Sequence, residues 1–400
     1  MFISSLKNSA KSLIVWLMLI LTSSFAIGAS KNNVHSYSYV VSIDKNMSSI
    51  SSADLSMSVV EGYRQIDDNA FTDVNFTNAS NVIGKNDKFT EIVKVFTRLL
   101  SASWIVVTNH EIGGHGARAR EYKLADTRYS IRPLDGSTNF SHKDFNQLHP
   151  HKQQSVSIAG IEANYILSEK VKTRMIESGF INPVYAINYA LARMDQIIWV
   201  SNTDSNNVVS YIKKTNDLYH ANLTRQKLQR LSYLDLLDPF LVYSLYAFMS
   251  DKDLDIPMFE VAKNFKYLPS ARLVLTPYGA EVRLINHFKF DDKYYQIGLG
   301  YGSNKRFKYY SFIANTNNVL KLYNTDIGFD IAAWLSPKML GDNPINANMQ
   351  KGGMLMVNTV SGLLKNTSLL VSAGYKTSGF VEGMPLDSSA MVRVGVQFDF

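Results

Sequence analysis

The sequence predicts an α+β protein in which an α-helical region precedes an antiparallel β-sheet. Apolar residues recur with a period near 3.6 before residue 268 and with a period of 2 after it. The composition changes at nearly the same place, because seven of the 8 histidines precede residue 260 and thirteen of the 22 glycines follow it. We therefore expect two regions of different architecture, one after the other along the chain.

The composition indicates a globular chain and excludes several kinds of site. Of the 400 residues, 46% are hydrophobic and 19% are charged, which is typical of a folded protein. The formal net charge of +7 is spread along the chain without a run of Lys or Arg, so we expect no nucleic-acid partner. The chain has no cysteine, which excludes disulfides, a thiolate nucleophile, a cysteine-ligated zinc ion and an iron–sulfur cluster. Any metal must be held by histidines and carboxylates.

Residues 1–29 have the pattern of a secretory signal peptide. Lys7 and Lys11 precede an uninterrupted apolar run, Leu13 to Leu21, and small residues follow up to Ala29. This three-part pattern predicts export, and the alternative is an uncleaved anchor helix. No later stretch reaches the ~18 consecutive apolar residues that a membrane-spanning helix needs.

The region between residues 30 and 260 is predicted as loops followed by helices. Residues 30–86 are rich in Ser, Asn and Asp and are predicted as short strands and loops. Residues 87–260 form a predicted helical domain, whose first helix begins at Asp87, the expected N-cap, and carries apolar residues from Phe89 at three- and four-residue spacing. Further helices are predicted from Ile158 to Ser178, from Pro183 through Ile197, and from Thr224 to Met249 with a disturbance at Pro239.

Residues 268–400 are predicted as about eight long antiparallel strands. Each strand alternates an apolar face with a polar or glycine face; in 295–302, for example, Tyr, Ile, Leu and Tyr alternate with Gln and three glycines. This alternation is typical of an outer-membrane β-barrel, whose apolar face contacts lipid while small or charged groups fill the lumen. The alternative is a soluble antiparallel sandwich.

The last five residues, Val396 to Phe400, resemble the closing strand of bacterial outer-membrane barrel proteins, which ends in an aromatic residue. The resemblance implies a barrel-like domain in the outer membrane, with membrane lipid as a partner. An even number of strands places both ends of a barrel on one side, and barrel C-termini face the periplasm. We therefore expect the helical domain to lie in the periplasm.

One hexapeptide contains the residues expected to do chemistry. It reads His110-Glu111-Ile112-Gly113-Gly114-His115. In a regular α-helix, histidines five positions apart are rotated by about 500°, which leaves the second about 140° from the face of the first. A π-type bulge, with hydrogen bonds between residues five apart, would bring both histidines onto one face. The two glycines stand where the backbone must yield, so we predict a π-type bulge here.

The hexapeptide resembles the His-Glu-x-x-Gly-His signature of the dipeptidyl peptidase III family of zinc exopeptidases. The resemblance implies that His110 and His115 bind zinc, that Glu111 is the general base, and that a glutamate on a later helix is the third ligand. Glu162 is the best candidate for that ligand because it begins an amphipathic helix 47 residues after the motif. The alternatives are His149 and His151, which flank a proline and are predicted on a loop.

Taken together, these features predict an exported zinc-dependent hydrolase, most simply a metallopeptidase acting on a peptide or protein and anchored at the outer membrane. Glu111 would take a proton from water bound to the zinc ion. The alternative function is a non-enzymatic outer-membrane barrel, structural or transporting, whose helical part is a plug or a docking module. Arg118 and Arg120, just after the motif, are expected on a solvated helix end.

Overall fold

The computed structural model describes residues 36–71, 87–202, 206–291, 293–339 and 348–400. These residues form an α+β fold, as the sequence predicts, in which helices pack against one face of a large antiparallel sheet. The predicted signal peptide, residues 1–29, lies outside the described residues. Among the described residues, no helix combines the length and the apolar character needed to cross a membrane.

The helices account for most of the chain before residue 251. They are α1 (Ser49–Phe71), α2 (Asp87–Thr108), α3 (Gly116–Glu121), α4 (His142–Gln147), α5 (Pro150–Ser178), α6 (Pro183–Ser201), α7 (Asn206–Tyr219), α8 (Arg225–Ser232) and α9 (Pro239–Ser250). A π-helical segment, Asn109–His115, joins α2 to α3, and a 3₁₀ turn, Tyr233–Leu237, joins α8 to α9.

The strands form one large sheet and two small ones. They are β1 (Ser38–Asp44), β2 (Arg128–Arg132), β3 (Asp135–Asn139), β4 (Phe180–Ile181), β5 (Leu254–Asp255), β6 (Phe259–Ala262), β7 (Phe265–Thr276), β8 (Gly279–Phe290), β9 (Lys293–Ser303), β10 (Lys308–Leu322), β11 (Thr325–Pro337), β12 (Met349–Leu364), β13 (Thr367–Lys376) and β14 (Ser389–Asp399). The large sheet has the order β1-β14-β13-β12-β11-β10-β9-β8-β7-β6, while β2 pairs with β3 and β4 with β5.

The helices that the apolar period predicts are confirmed. Gly179, with a φ of 87°, ends α5 in the left-handed conformation, as expected of a C-terminal glycine. The side chain of Asn182 accepts a hydrogen bond from the backbone N–H of Val184 at 2.9 Å and so caps α6. Pro239 is the first residue of α9 and separates it from the preceding 3₁₀ turn. Proline has no backbone N–H to bond to a preceding helical turn, so it begins a helix rather than continuing one.

The predicted barrel differs from the sheet that forms. The eight predicted strands are present as β7 to β14, but the described residues form a ten-stranded sheet with edges at β1 and β6, and this sheet is not closed into a barrel. The extra strands come from residues before 268. β1 pairs with the last strand over its whole length, from Ser38 opposite Asp399 to Asp44 opposite Arg393.

The segment predicted as strands and loops, residues 30–86, also differs from expectation. It contains one strand, β1, and a 23-residue helix, α1. Serine and aspartate are unfavourable inside isolated helices, which is why the sequence does not predict α1. Here the small side chains of Ser51, Ser52 and Ser56 are buried, so α1 can pack closely against the rest of the fold. Residues 30–35 and 72–86 lie outside the described residues.

The two faces of the large sheet have opposite character. On β8, Glu281 and Arg283 point toward the helices and are buried, whereas Leu284 points away from them and is exposed. The same alternation on β9 leaves Leu299 and Tyr301 exposed. The predicted alternation of faces is therefore confirmed, and it is the apolar face that is left uncovered by the protein.

Candidate active site

The hexapeptide forms the π-helical segment that its spacing predicts. This segment spans Asn109–His115 and continues directly from α2 into α3. The backbone N–H of Gly116 donates to the carbonyl of Glu111, five residues back, which is the hydrogen bond of a π-helix. As a result, the rings of His110 and His115 lie side by side, with their centroids 5.1 Å apart.

The glycines around the motif allow two segments of backbone to approach each other. A Cβ added to Gly114 would lie only 2.5 Å from the carbonyl oxygen of Ala159 and from the Cα of Gly160. A Cβ added to Gly160 would overlap the His110 ring. From the sequence, the two glycines are expected where the backbone must yield to form the bulge. In the structure, Gly114 allows close packing against α5.

His110 is held by a carboxylate that sequence reasoning does not identify. Its Nδ1 lies 2.9 Å from Oδ2 of Asp195, on α6. The same oxygen accepts a hydrogen bond from Nδ2 of Asn164 at 3.1 Å, and Oδ1 of Asn164 accepts one from Nδ2 of Asn109 at 3.0 Å. Burial alone would lower the pKa of His110, but the negative charge of Asp195 outweighs it and raises that pKa above its ordinary value. This chain of hydrogen bonds fixes the orientation of the His110 ring.

His115 is held by the backbone of α5. Its Nδ1 lies 2.8 Å from the carbonyl oxygen of Val156. Because a carbonyl only accepts, the proton of the neutral His115 ring is on Nδ1 and the lone pair is on Nε2. Burial, helped by the neighbouring His110, lowers the pKa of His115 to about 3, so the ring is neutral. In both histidines, therefore, Nδ1 is engaged and Nε2 is the nitrogen available to a ligand.

Glu111 is buried beneath the β2–β3 hairpin. Its Oε2 accepts a hydrogen bond from the hydroxyl of Thr138 at 2.7 Å, and the same hydroxyl lies 3.0 Å from its backbone carbonyl. Burial raises the pKa of Glu111 above its ordinary value, although the neighbouring His110 opposes this. The hairpin therefore fixes the carboxylate that the sequence assigns as the base.

Glu162 lies on a different face of α5 from the histidine pair. Gly160 contacts His110, and residues two positions apart on an α-helix project about 200° apart. The Oε1 of Glu162 accepts hydrogen bonds from Nη2 of Arg118 at 2.6 Å and from the backbone N–H of Gly383 at 2.5 Å, while its buried Oε2 has no hydrogen-bond partner. Its role as a metal ligand stays a prediction of the sequence resemblance.

Arg118 corrects another expectation from the sequence. It is buried rather than solvated, and it also bonds Oε2 of Glu121 at 2.6 Å and the carbonyl of Met384 at 2.8 Å. A cavity of about 410 Å³ lies beside it, between the start of α1, α3 and the residues before β14. Arg118 thus lines this cavity and also bonds Glu162.

Of the two alternative histidines, His149 lies outside a helix, as predicted, whereas His151 does not. His149 is the residue before Pro150, the first residue of α5, and His151 lies within the first turn of that helix. Their rings stack with centroids 4.9 Å apart, and Nε2 of His151 contacts the hydroxyl of Tyr219. The structure therefore packs this pair against α7.

The donor set accounts for part of a zinc site. Metal-bound histidines usually donate their second ring N–H to a carboxylate or a backbone carbonyl, as His110 and His115 do here. Within the described ranges, however, no group of three or more His, Asp or Glu side chains is arranged to hold a metal ion. The structure thus brings together two of the three predicted ligands.

One sequence signal could have identified Asp195. Asp195 comes seven residues after Asn188 and three after Ala192, so the three residues share one face of α6. Asn188 and Ala192 are buried. A carboxylate on the buried stripe of a predicted helix requires a partner, since an unpaired buried charge is costly.

Comparisons with known proteins gave no match for this chain among protein-family models, curated proteins or solved structures. The resemblance to the dipeptidyl peptidase III signature therefore depends on the six residues from His110 to His115.

Proposed function

We propose that the protein is an exported zinc-dependent hydrolase, a metallopeptidase in the simplest case, with His110 and His115 as metal ligands. The observation that carries the proposal is the π-helical segment. It places two histidine rings side by side with both Nδ1 atoms engaged by protein acceptors. Two histidines that were neighbours by chance would not require both Nδ1 atoms to be held by protein acceptors.

The residues around the pair have separate roles in this proposal. A zinc ion held there would supply a Lewis acid and a water of lowered pKa. Asp195 keeps the Nδ1 proton of His110 in place, so that Nε2 of that ring keeps its lone pair. Glu111, adjacent in sequence to His110 and held by Thr138, is the group that accepts the proton. Glu162, whose buried Oε2 has no hydrogen-bond partner, is the third ligand that the resemblance implies, but it lies on a different face of α5 from the histidine pair.

The proposal places the protein at the outer membrane, with its site on the periplasmic side and a peptide or protein as substrate. The exposed apolar face of the large sheet supports the membrane contact, because exposed apolar patches of this extent mark interaction surfaces. The charged face of the same sheet is turned toward the helices, as in a barrel with a polar interior.

A non-enzymatic outer-membrane protein with a helical plug is the second candidate. The polar contacts between the helices and the sheet favour it. Gln296 on β9 donates a hydrogen bond to Glu169 on α5 at 2.6 Å, and Nζ of Lys289 on β8 donates to the carbonyl of Ile176 on α5 at 3.0 Å. A plug in a polar lumen has a polar interface of this kind.

Replacing Glu111 by Gln separates the two candidates. If the protein is an enzyme, wild type should hydrolyse members of a peptide library. Glu111→Gln should keep its zinc but lose hydrolysis, because an amide cannot accept the proton. Glu260→Gln, at an exposed position on β6, is the matched control and should keep wild-type activity. Equal hydrolysis by Glu111→Gln would exclude Glu111 as the base, and a wild type without zinc and without hydrolysis would favour the plug.

A further inference from the structure

One side of helix α2 carries an apolar stripe that no part of the described protein covers. Phe89, Ile92, Phe96 and Leu99 recur at spacings of three and four residues, so they share one face of the helix. Ile92 is 66% exposed and Phe96 is 61% exposed. A surface helix of a water-soluble protein normally turns such a stripe toward the core.

Two cations of α2, Lys94 and Arg98, point the other way, into the protein. Nζ of Lys94 lies 2.7 Å from Asp251, and Arg98 bonds both Asp67 of α1 at 2.6 Å and Asp251 at 2.5 Å. Because Arg98 and Asp67 are buried, these ion pairs fix the rotation of α2 about its axis. Its apolar stripe is therefore turned outward by specific contacts.

Helix α9 has the same inverted character. Val242, Tyr246 and Met249 follow at spacings of four and three residues, and all are exposed, Tyr246 by 59%. Its opposite side is buried at Phe240 and Ala247, which belong to the helical core. Asp251, at the C-terminal cap of α9, is the residue that binds both cations of α2, so the two helices meet there.

A series of contacts leads from one edge of the open sheet to both helices. Helix α1 packs along the edge strand β1 through Ser58, which bonds the N–H and the carbonyl of Val40. Helix α2 is joined to α1 by the Arg98–Asp67 pair. At the other edge, only eight residues separate the end of α9 from the start of β6. Contacts thus connect β1 to α1, α1 to α2 and α2 to the C-terminal cap of α9, and a short segment leads from α9 to β6.

The exposed faces of α2 and α9 have the same apolar character as the outer face of the sheet. On the sheet, that face includes Leu299, which is 54% exposed, Leu355 and Val392, on strands far apart in the order of pairing. Arg283 is turned inward on the sheet, as Lys94 and Arg98 are on α2. A single partner chain would cover one side of this surface, whereas lipid surrounds a protein on every side.

We propose that α2 and α9 close the gap between β1 and β6 and contact the acyl chains of the same membrane as the sheet. The proposal rests on the membrane anchoring proposed above. It revises the expectation that the whole helical domain lies in the periplasm, because it places these two helices in the membrane beside the strands. Glu91, the exposed acid in the first turn of α2, lies at one end of this surface.

Tryptophan fluorescence in vesicles tests the proposal directly. The variants Phe96→Trp on α2, Tyr246→Trp on α9 and Leu299→Trp on β9 each add one tryptophan at an exposed position. Wild type supplies the background from its four tryptophans, Trp16, Trp104, Trp199 and Trp334. The full chain is placed in phosphatidylcholine vesicles with and without brominated acyl chains, and aqueous iodide is added separately. We expect the fluorescence added at all three positions to be lost to brominated lipid and spared by iodide.

The other outcomes overturn one claim or both. If the added tryptophans on α2 and α9 are quenched by iodide, these helices face water; if neither quencher reaches them, protein covers them. Either result contradicts lipid contact by the helices, while quenching of Leu299→Trp by brominated lipid leaves the anchoring of the sheet intact. If brominated lipid spares Leu299→Trp as well, the membrane anchoring fails together with the inference.

Discussion

Nδ1 of His110 lies 2.9 Å from Oδ2 of Asp195, a residue 85 positions later in the chain. The contact joins the π-helical segment to α6. It does so across the close approach to α5 that Gly114 and Gly160 allow. A ring fixed in this way has one nitrogen committed to the protein and the other available for chemistry. The predictions below test whether this arrangement serves a metal ion.

Asp195→Asn should weaken zinc binding by about ten- to hundredfold, the usual effect of losing a group that orients a metal-bound histidine. Asparagine keeps the size of the side chain and removes the charge that polarises His110. The measurement is a zinc titration against a competing chelator. Asp387→Asn, which removes a half-exposed carboxylate bonded to Lys152, is the control and should bind zinc as wild type does. Equal affinities in the two variants would show that Asp195 does not support a metal ligand.

Gly160→Ala should disrupt the site, because the added methyl group would overlap the ring of His110. We expect a destabilisation of about 1–3 kcal/mol, typical of overpacking, together with weaker zinc binding. Gly62→Ala on α1 is the matched control, since its nearest neighbour would be Cε1 of Tyr39 at 3.7 Å, an ordinary contact. That control should stabilise the helix by up to about 1 kcal/mol. If thermal unfolding and zinc titration do not distinguish the two variants, the close approach at Gly160 is unimportant.

Glu162→Ala should lower the free energy of unfolding by about 3–5 kcal/mol, because Arg118 loses a buried partner. The loss should fall near the lower limit, since Glu121 still binds Arg118. Thermal unfolding measures this effect. A zinc titration of the same variant, beside His149→Ala and His151→Ala, tests the ligand role that the sequence resemblance implies. Zinc affinity no weaker than in the two histidine variants would remove Glu162 from the set of ligands.

Much of the local structure could be predicted because it depends on short-range spacing. The five-residue separation of His110 and His115 is incompatible with a regular α-helix and compatible with a π-helix, and the π-helical segment forms there. The strict alternation along the C-terminal strands likewise predicts their two faces. Both inferences use geometry that is determined within one element.

The features that could not be predicted depend on contacts between distant segments. Asp195 reaches His110 only after α5 and α6 have packed, and no local pattern shows that contact. Several serines of α1 are buried beside β1 and the π-helical segment, where their small size allows close packing. The free edge of β1 is covered by α1, because Ser58 and Glu61 bond the backbone of Val40 and Ser38. Strand alternation alone cannot distinguish this arrangement from a closed barrel.

Elemental analysis of the purified protein tests the central claim most directly. Wild type, loaded with zinc and freed of excess metal, should retain stoichiometric zinc. His110→Ala and His115→Ala should retain none, because each variant removes one of the two histidine ligands. The chain has no cysteine that could take the place of the lost ligand. A wild type without zinc, or equal zinc in wild type and His110→Ala, would contradict the assignment of this π-helical segment as a metal site.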